Sequence, residues 1–301
     1  MENTLIVVVG PTGIGKSAIS LKLAQLYNTE IISADSRQIY KELSIGTAVP
    51  PPSDLQSVKH HFTQKISVSD YYNASMFEIE VLDKLDELFK SRNPLIMAGG
   101  SMLYIDAVCK GIDDLPTVDK NIRDRLIEEF EQDGIEAIRL QLKHLDPEYY
   151  LKVDLKNPKR LLHALEICLM TGKPYSSFRS ETVKKRPFRI LKIGLNMERE
   201  RLYDRINRRV LQMVEEGLFE EARSVYHLRD LNSLNTVGYK EIFSYFDGKI
   251  SKEEAIEQIQ NNSRKYARKQ LTWFRKDQDI KWFSPNQPEE IIDFINSELQ
   301  S

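Results

Sequence analysis

The sequence from residue 7 to residue 20, VVVGPTGIGKSAIS, decides the fold class of this chain. Its first residues continue an apolar run from Leu5, which predicts a strand buried on both faces. The segment from Gly10 to Ser17 matches the pattern G-x-x-x-x-G-K-[S/T], and helical spacing follows it. In this pattern backbone N–H groups surround phosphate oxygens, Lys16 adds a positive charge and Ser17 offers a hydroxyl to Mg²⁺. The loop therefore predicts a site for a diphosphate unit.

The overall composition places few limits on the partner. The chain has 301 residues, 41% hydrophobic and 29% charged, which is typical of a globular protein. Its net charge of −2 argues neither for nor against nucleic acid, so a nucleic-acid site would have to be a local basic patch. The cysteines Cys109 and Cys168 lack metal-ligand spacing and fit a reducing cytosol. With no segment as long as a membrane span, we expect a cytoplasmic protein that does not bind membranes.

Apolar runs alternate with helical patterns over most of the chain. Candidate strands lie at residues 5–9, 30–34, 94–98, 189–197 and 280–283. Candidate helices lie at residues 17–27, 75–92, 199–216 and 251–276, the last opened by a capping box. This alternation predicts an α/β fold, with a P-loop NTPase-like parallel sheet flanked by helices.

The middle of the chain differs because it shows helical patterns and no convincing strand. Asn157 and Pro158 predict the start of a helix and Gly172 its end, and an earlier helix should end before Gly134. We expect an all-helical insertion domain at residues 117–187, within a catalytic core formed by residues 1–116 and 188–301.

A carboxylate closes the second predicted strand. The segment EIISAD ends in Asp35, and parallel strands place Asp35 and Lys16 at the same edge of the sheet. Asp35 could remove a proton from an acceptor or help to hold Mg²⁺, and the structural alternative is a capping aspartate in a turn. The polar side chains of Ser36, Arg37 and Gln38 follow and could pair with the edge of a nucleobase.

Six segments, in order, resemble the motifs of tRNA dimethylallyltransferases, also called tRNA isopentenyltransferases, in their bacterial form. They are GPTGIGKS, ISADSRQIYKELSIGTAVP, AGGSMLYIDA, NPKRLLHALEICLMTGKPYS, NTVGYKE and ARKQLTWFRK. The resemblance implies transfer of a dimethylallyl group from dimethylallyl diphosphate to N6 of the adenosine 3′ of the anticodon, with release of pyrophosphate. It implies that the catalytic residues are Asp35 as general base, Lys16 and Arg199, with Arg205 a second possibility for the arginine.

The same resemblance implies two sets of binding residues. Those at the diphosphate are Gly10, Thr12, Gly13, Ile14, Gly15, Lys16, Ser17 and Arg199, with Mg²⁺ on Ser17. Those at tRNA are Asp35, Ser36, Arg37, Gln38, Ser101, Arg123, Lys159, Arg160, Leu161, Leu162, His163, Asn235, Thr236, Val237, Gly238, Tyr239, Lys240, Arg268, Lys269, Gln270 and Arg275. Family members commonly have arginine where His163 stands, and a neutral histidine does not replace a fixed charge.

A basic segment near the C-terminus supports contact with a phosphate backbone. Residues 264–276 contain six basic residues and no acidic one. Read as a helix, this segment should point Leu271 and Phe274 inward, and we also expect Trp273 in the core.

Three other functions share some of these features. A P-loop small-molecule kinase shares the loop and Asp35 but leaves the insertion and the basic helix unexplained. An adenylate prenyltransferase acting on free nucleotides shares the chemistry without the need for a large basic surface. A non-enzymatic RNA-binding role does not account for the pairing of Lys16 with Asp35. The partners expected are tRNA, through its anticodon stem-loop, and dimethylallyl diphosphate, with the protein acting as a monomer.

Overall fold

A computed structural model of the chain describes residues 2–113, 115–116, 119–179 and 183–300. The chain forms two compact units, one comprising Met1–Lys110 and Lys185–Ser301 and the other Gly111–Lys184. Thr117, where the insertion was predicted to begin, lies outside the described residues. No helix among the described residues is long and apolar enough to cross a membrane.

The first unit is built on a parallel sheet of six strands. The strands are β1 Thr4–Val9, β2 Ile31–Ser33, β3 His60–His61, β4 Leu95–Ala98, β5 Arg189–Leu195 and β6 Lys281–Phe283. Their order is β3-β2-β4-β1-β5-β6, and every pairing is parallel. Every residue of β1 is buried, which explains its continuous apolar run. The predicted α/β sheet flanked by helices is confirmed, whereas β3 was missed because two histidines carry no strand pattern.

The helices bear out the sequence periodicity closely. In chain order they are α1 Lys16–Leu26, α2 Pro52–Ser57, α3 Ala74–Phe89, α4 Met102–Lys110, α5 Lys120–Leu145, α6 Pro147–Lys152, α7 Pro158–Thr171, α8 Arg199–Glu215, α9 Leu218–Val225, α10 Tyr239–Phe246, α11 Lys252–Phe274 and α12 Pro288–Gln300. The predicted capping box opens α11, because Ser251 and Glu254 each accept a hydrogen bond from the other's backbone N–H.

One apolar cluster fixes the helices that surround the phosphate loop. Ile6 of β1 packs in this cluster with Leu23 of α1, Ile206 of α8 and Ala267 of α11, all buried. The start of α1 and the neighbouring faces of α8 and α11 are thereby held at the carboxyl edge of the sheet, where ligands bind in open parallel sheets.

The second unit is helical, and no strand occurs in the part of residues 111–184 that the structure describes. Asn157 accepts a hydrogen bond from a backbone N–H in the first turn of α7, and Gly172 ends this helix in the left-handed conformation. Gly134, with φ of 76°, interrupts α5 where a helix end was predicted. The core of the second unit includes Leu126, Ile138, Leu161 and Leu165.

Candidate active site

The phosphate loop joins β1 to α1 and depends on its glycines. Gly10 and Gly13 have φ angles of 149° and 78°. A Cβ atom on Gly10 would lie 2.8 Å from the carbonyl oxygen of Leu195, and one on Gly13 would lie 2.9 Å from Cγ1 of Ile206. Both positions therefore combine a backbone conformation that disfavours side chains with a lack of space. Gly15 takes the left-handed conformation immediately before Lys16 begins α1.

Lys16 lies inside this loop. Its Nζ donates hydrogen bonds to the carbonyl oxygens of Gly10 at 3.0 Å and Pro11 at 2.9 Å. Burial lowers the pKa of Lys16 to about 8, while Asp35 raises it and Arg209 lowers it further. An anion bound in the loop would stabilise the protonated form of this side chain.

Two adjoining cavities open at the loop. The smaller, of about 210 Å³, is lined by Gly15, Lys16, Ser17, Gln38 and Arg205 among others. The larger has a volume of about 420 Å³. They share the wall residues Thr12, Gly13, Asp35, Thr47 and Arg209. Asp35 therefore lies where a diphosphate in the smaller cavity would meet a group held in the larger one.

The arginines at the phosphate loop are Arg205 and Arg209, and not Arg199. Arg205 Nε donates to the carbonyl oxygen of Gly13 at 3.0 Å, and Arg209 Nη1 lies 3.4 Å from Oγ1 of Thr12. Burial lowers the pKa of Arg209, and the nearby Asp35 raises it.

Arg199 is exposed at the first residue of α8 and donates to the hydroxyl of Tyr203 at 3.0 Å. Neither cavity has Arg199 in its described lining. Arg199 precedes Arg205 by six residues, so it lies about 9 Å along the helix and about 120° around it. This geometry favours the second possibility, Arg205, together with Arg209, which sequence reasoning missed, over Arg199.

Asp35 is held by the turn that follows β2. Its Oδ1 accepts hydrogen bonds from the backbone N–H groups of Arg37 at 2.9 Å and Gln38 at 3.3 Å. Among the described residues no donor contacts its Oδ2. The structural interpretation of Asp35 as a cap of the turn is therefore compatible with a functional role, because one oxygen caps the turn while the side chain lines both cavities. Ser101 Oγ accepts from the backbone N–H of Ser36 at 2.8 Å and so braces the same turn.

A half-buried carboxylate holds the loop that supplies Gly46 and Thr47 to the cavity lining. The Glu221 carboxylate accepts from three successive backbone N–H groups, those of Ser44, Ile45 and Gly46, at 2.8, 2.8 and 2.9 Å. The carbonyl oxygens of the next two residues accept from Nε2 of Gln38, whose Oε1 accepts from Ser33 Oγ. The Gln38 amide is therefore engaged by the fold, although this side chain still lines the smaller cavity.

The larger cavity has an apolar side and a basic rim. Apolar lining comes from α8, α9 and α11 through Ile206, Val210, Met213, Leu218 and Ile259. Cationic lining comes from Arg37, Lys240, Lys265 and Lys269. The predicted tRNA-contact residues Asn235, Thr236, Val237 and Gly238 also line it, as do Ser36 and Ser101.

Tyr266 lines the larger cavity from α11. Its pKa is raised to about 12, mainly by burial and also by the charge of Asp35, while Arg37 acts to lower it. A partly buried ring beside Asp35 offers a flat face for a nucleobase.

Three residues predicted to contact tRNA have side chains inside the protein. Gln270 is 1% exposed, Tyr239 is 0% exposed with its hydroxyl donating to Glu221 Oε1 at 2.6 Å, and Leu161 lies in the core of the second unit. Their burial argues against contact with RNA through these side chains, and the assignment of all three to tRNA binding stays a prediction.

The basic face of α11 has the predicted character. Arg268, Lys269 and Arg275 are exposed, and Phe274 is buried as expected. The prediction for Trp273 was wrong, since this residue is 40% exposed and its Nε1–H donates to Asp106 Oδ2 at 2.8 Å.

In the second unit the predicted contact residues divide into two groups. Arg123 forms a two-pronged ion pair with Glu166, at 2.6 and 2.8 Å, and His163 Nδ1 lies 3.4 Å from the same carboxylate. Burial raises the pKa of Glu166, but the hydrogen bonds from Arg123 and His163 outweigh it and leave that pKa below its usual value. Lys159 and Arg160 are exposed at the start of α7, and Leu162 is half-buried.

The oxygen atoms of the protein at the phosphate loop fit a magnesium ion that is held mainly by a bound diphosphate. No group of three or more His, Cys, Asp or Glu side chains suited to a metal occurs among the described residues. Ser17 and Asp35 both line the smaller cavity. Mg²⁺ is commonly held by one or two protein oxygens together with phosphate oxygens and water, and this pair meets that need.

A helical signal existed for Arg209, the arginine that the sequence interpretation missed. Arg205 and Arg209 are four residues apart and flank Ile206 and Val210, which belong to the buried stripe of α8. Arg205 and Arg209 border the stripe where it passes the phosphate loop, whereas Arg199 continues the line of the stripe to the exposed first residue of α8.

Comparison with known proteins identifies the family of this chain. The family model described as IPP transferase matches residues 38–277. The tRNA dimethylallyltransferase 1 of Bacteroides fragilis (strain YCH46) is 56% identical over 297 residues, covering 99% of each chain. The tRNA dimethylallyltransferase of Christiangramia forsetii is 51% identical over 302 residues, covering 100% of both.

Solved structures extend the similarity to the fold. The full-length tRNA isopentenylpyrophosphate transferase of Bacillus halodurans is 36% identical with a TM-score of 0.72, covering 100% of this chain and 97% of that one. A eukaryotic dimethylallyltransferase, solved in crystallographic snapshots of its action on tRNA, is 26% identical with a TM-score of 0.83, covering 99% of this chain and 80% of that one. With a family match over most of its length and relatives above half identity, the chain belongs to the IPP transferase family.

Proposed function

We propose that this enzyme transfers the dimethylallyl group from dimethylallyl diphosphate to N6 of the adenosine 3′ of the anticodon in tRNA and releases pyrophosphate. The observation that carries the proposal is the position of Asp35 in the wall shared by the phosphate-loop cavity and the larger cavity. The family and the names of its relatives supply the class of reaction.

The phosphate loop holds the leaving group in this proposal. The diphosphate lies against the backbone of residues 10–17, with Lys16, Arg205 and Arg209 around it. Negative charge grows on the diphosphate as the C–O bond breaks, and cations already fixed in place stabilise that charge without reorganising. The loop thus grips a departing pyrophosphate rather than a phosphoryl group in transit.

Asp35 removes the proton from the acceptor. The exocyclic amine of adenine is a weak nucleophile because its lone pair is delocalised into the ring. The amine attacks the first carbon of the dimethylallyl group, a C–N bond replaces the C–O bond, and the amine proton passes to Asp35. The two hydrogen bonds at Oδ1 orient the carboxylate and leave Oδ2 for this proton.

The larger cavity receives the base and the prenyl group. An adenine in an anticodon loop has to leave its stack to reach Asp35, as in other base-modifying enzymes. Tyr266 and the loop at residues 235–238 provide surfaces for the extruded base, and the apolar side formed by α8 and α11 covers the five-carbon chain.

Magnesium accompanies the diphosphate in this proposal. Ser17 would hold the ion with diphosphate oxygens, and the ion would neutralise charge on the leaving group.

The tRNA backbone meets the basic residues outside the cavity. Lys240 and Lys269 on its rim and Arg268 and Arg275 on α11 are exposed and suited to phosphate contacts. Lys159 and Arg160 of the second unit serve the same purpose. The protein acts as a monomer in the cytoplasm.

One transfer assay tests the function against its alternatives. The protein is incubated with labelled dimethylallyl diphosphate, Mg²⁺ and either an anticodon stem-loop or AMP. The matched control is the same stem-loop with purine riboside, which lacks the amine, at the target position. Label should enter only the adenosine stem-loop.

Each other result names a different function. Label in AMP alone would favour an adenylate prenyltransferase. Transfer of the γ-phosphoryl group of ATP to a small alcohol in a parallel assay, and no prenyl transfer, would favour a kinase. Equal labelling of the purine control would show that the exocyclic amine is not the acceptor.

A further inference from the structure

Gln270 forms a buried bridge between two loops of the site. It lies on α11 and is 1% exposed. Its Oε1 accepts from the backbone N–H of Thr12 at 2.8 Å, and its Nε2 donates to the carbonyl oxygen of Gly100 at 2.8 Å. Both ends of this amide are therefore used, one by the phosphate loop and the other by the turn after β4.

The bridge contacts the backbone of the phosphate loop directly. Backbone N–H groups in such loops usually point to phosphate oxygens, but the N–H of Thr12 points to Gln270 instead. Thr12 lines both cavities, and its hydroxyl lies 3.4 Å from Arg209. Gln270 thus holds Thr12, the residue of the loop that also contacts Arg209.

The other end of the bridge reaches the Asp35 turn indirectly, through the turn after β4. Gly100 is followed by Ser101, whose Oγ accepts from the N–H of Ser36, next to Asp35. The fit at Gly100 is close, because a Cβ atom there would lie 2.4 Å from Nε2 of Gln270. The amide of Gln270 therefore links the phosphate loop, through Gly100 and Ser101, to the turn that holds Asp35.

We propose that Gln270 is a positioning residue that sets the distance between the phosphate loop and the Asp35 turn, rather than a contact to tRNA. Its kinetic consequence rests on the proposed function. The neighbouring Lys269 is exposed on the rim of the larger cavity. It therefore serves as the comparison residue for the role of tRNA contact on α11.

The test compares Gln270→Met with Lys269→Met. Methionine keeps the length and packing of glutamine and removes both hydrogen bonds. For Gln270→Met we expect kcat to fall about 100-fold, the loss that a displacement of about 1 Å causes. Affinity for inorganic pyrophosphate with Mg²⁺, measured by calorimetry, should fall about tenfold because the loop is no longer preorganised. Affinity for the stem-loop should change less than about twofold.

Lys269→Met should give the opposite pattern. Binding of the stem-loop should weaken and its dependence on salt should become shallower, while pyrophosphate affinity stays at the wild-type value. A Gln270→Met protein with weakened stem-loop binding and normal pyrophosphate affinity would overturn the proposal.

Gly100→Ala provides a second and independent variant. The added methyl group displaces Nε2 of Gln270, so this variant should reproduce the loss of pyrophosphate affinity. The double variant with Gln270→Met should be no worse than either single one, because both remove the same bridge. Additive losses would contradict the bridge.

Pyrophosphate binding tests the bridge even if no prenyl transfer occurs. Absence of transfer by the wild-type protein would refute the proposed function alone. Unchanged pyrophosphate affinity in both Gln270→Met and Gly100→Ala would refute the positioning role alone.

Discussion

Replacement of Arg209 by methionine tests how the site stabilises its leaving group. Arg209 is half-buried on α8, lines both cavities and has its pKa lowered by burial, so its charge is poorly screened by water. A unit charge about 4 Å from a phosphate oxygen contributes about 4 kcal/mol at an effective dielectric constant of about 20.

That energy corresponds to about a 1000-fold change in rate if it applies fully in the transition state. Water will replace part of the lost interaction, so we expect kcat/KM for the prenyl donor to fall between about 100- and 1000-fold in Arg209→Met, the range seen for single donors to a developing anion. The matched control is Arg199→Met, which removes an exposed charge from the same helix and should cost less than about threefold.

The assay is single-turnover transfer of labelled dimethylallyl to the anticodon stem-loop, with thermal unfolding as a check on folding. Arg209→Lys should recover part of the lost rate because it restores the charge without the forked geometry. A larger loss in Arg199→Met than in Arg209→Met would refute the reasoning.

Three further predictions follow from the site and the second unit. Asp35→Asn should lower transfer about 1000-fold and leave stem-loop affinity within about twofold, whereas lost binding with retained chemistry would remove Asp35 as the base. Because burial lowers the pKa of Lys16 to about 8, pyrophosphate binding should weaken as the pH rises through about 8, and binding near that pH should be accompanied by proton uptake. Calorimetry in two buffers measures this uptake, which should be missing in Lys16→Met. Equal proton uptake in both proteins would show that Lys16 is not the group that takes up the proton. Arg123→Ala should lower the free energy of unfolding in urea by about 2 kcal/mol, since it leaves the Glu166 carboxylate buried without its main partner. Glu166 has a folded pKa below its unfolded value, so the stabilising effect of Arg123 is present above about pH 4 and is lost as the pH falls further; a difference independent of pH would argue against the ion pair as its source.

The parts of the site that are local in sequence could be predicted closely. The phosphate loop is a contiguous pattern, and Asp35 follows from the rule that parallel strands end at one edge of the sheet. The caps at Asn157 and Ser251 are likewise set by neighbouring residues. Each of these features can be predicted from a few neighbouring residues in the sequence.

The errors concern residues whose role depends on the rotation and packing of helices. Arg199 and Arg209 lie on one helix, and Arg199 shares the line of its buried stripe, so only their positions along the packed helix decide which of them reaches the loop. Trp273 and Gln270 lie on α11, where packing leaves the large apolar ring exposed and buries the polar amide. The amide is buried at low cost because both its ends are hydrogen-bonded, which no single-sequence pattern reveals.

The central claim is that Asp35 lies between the amine of the acceptor and a diphosphate held by the phosphate loop. The most direct measurement is a crystal structure with the anticodon stem-loop and the unreactive donor dimethylallyl S-thiolodiphosphate. We predict Oδ2 of Asp35 within about 3 Å of adenine N6, and the diphosphate against Lys16 and Arg209. A carboxylate turned away from the purine, or a diphosphate bound outside the loop, would contradict the account.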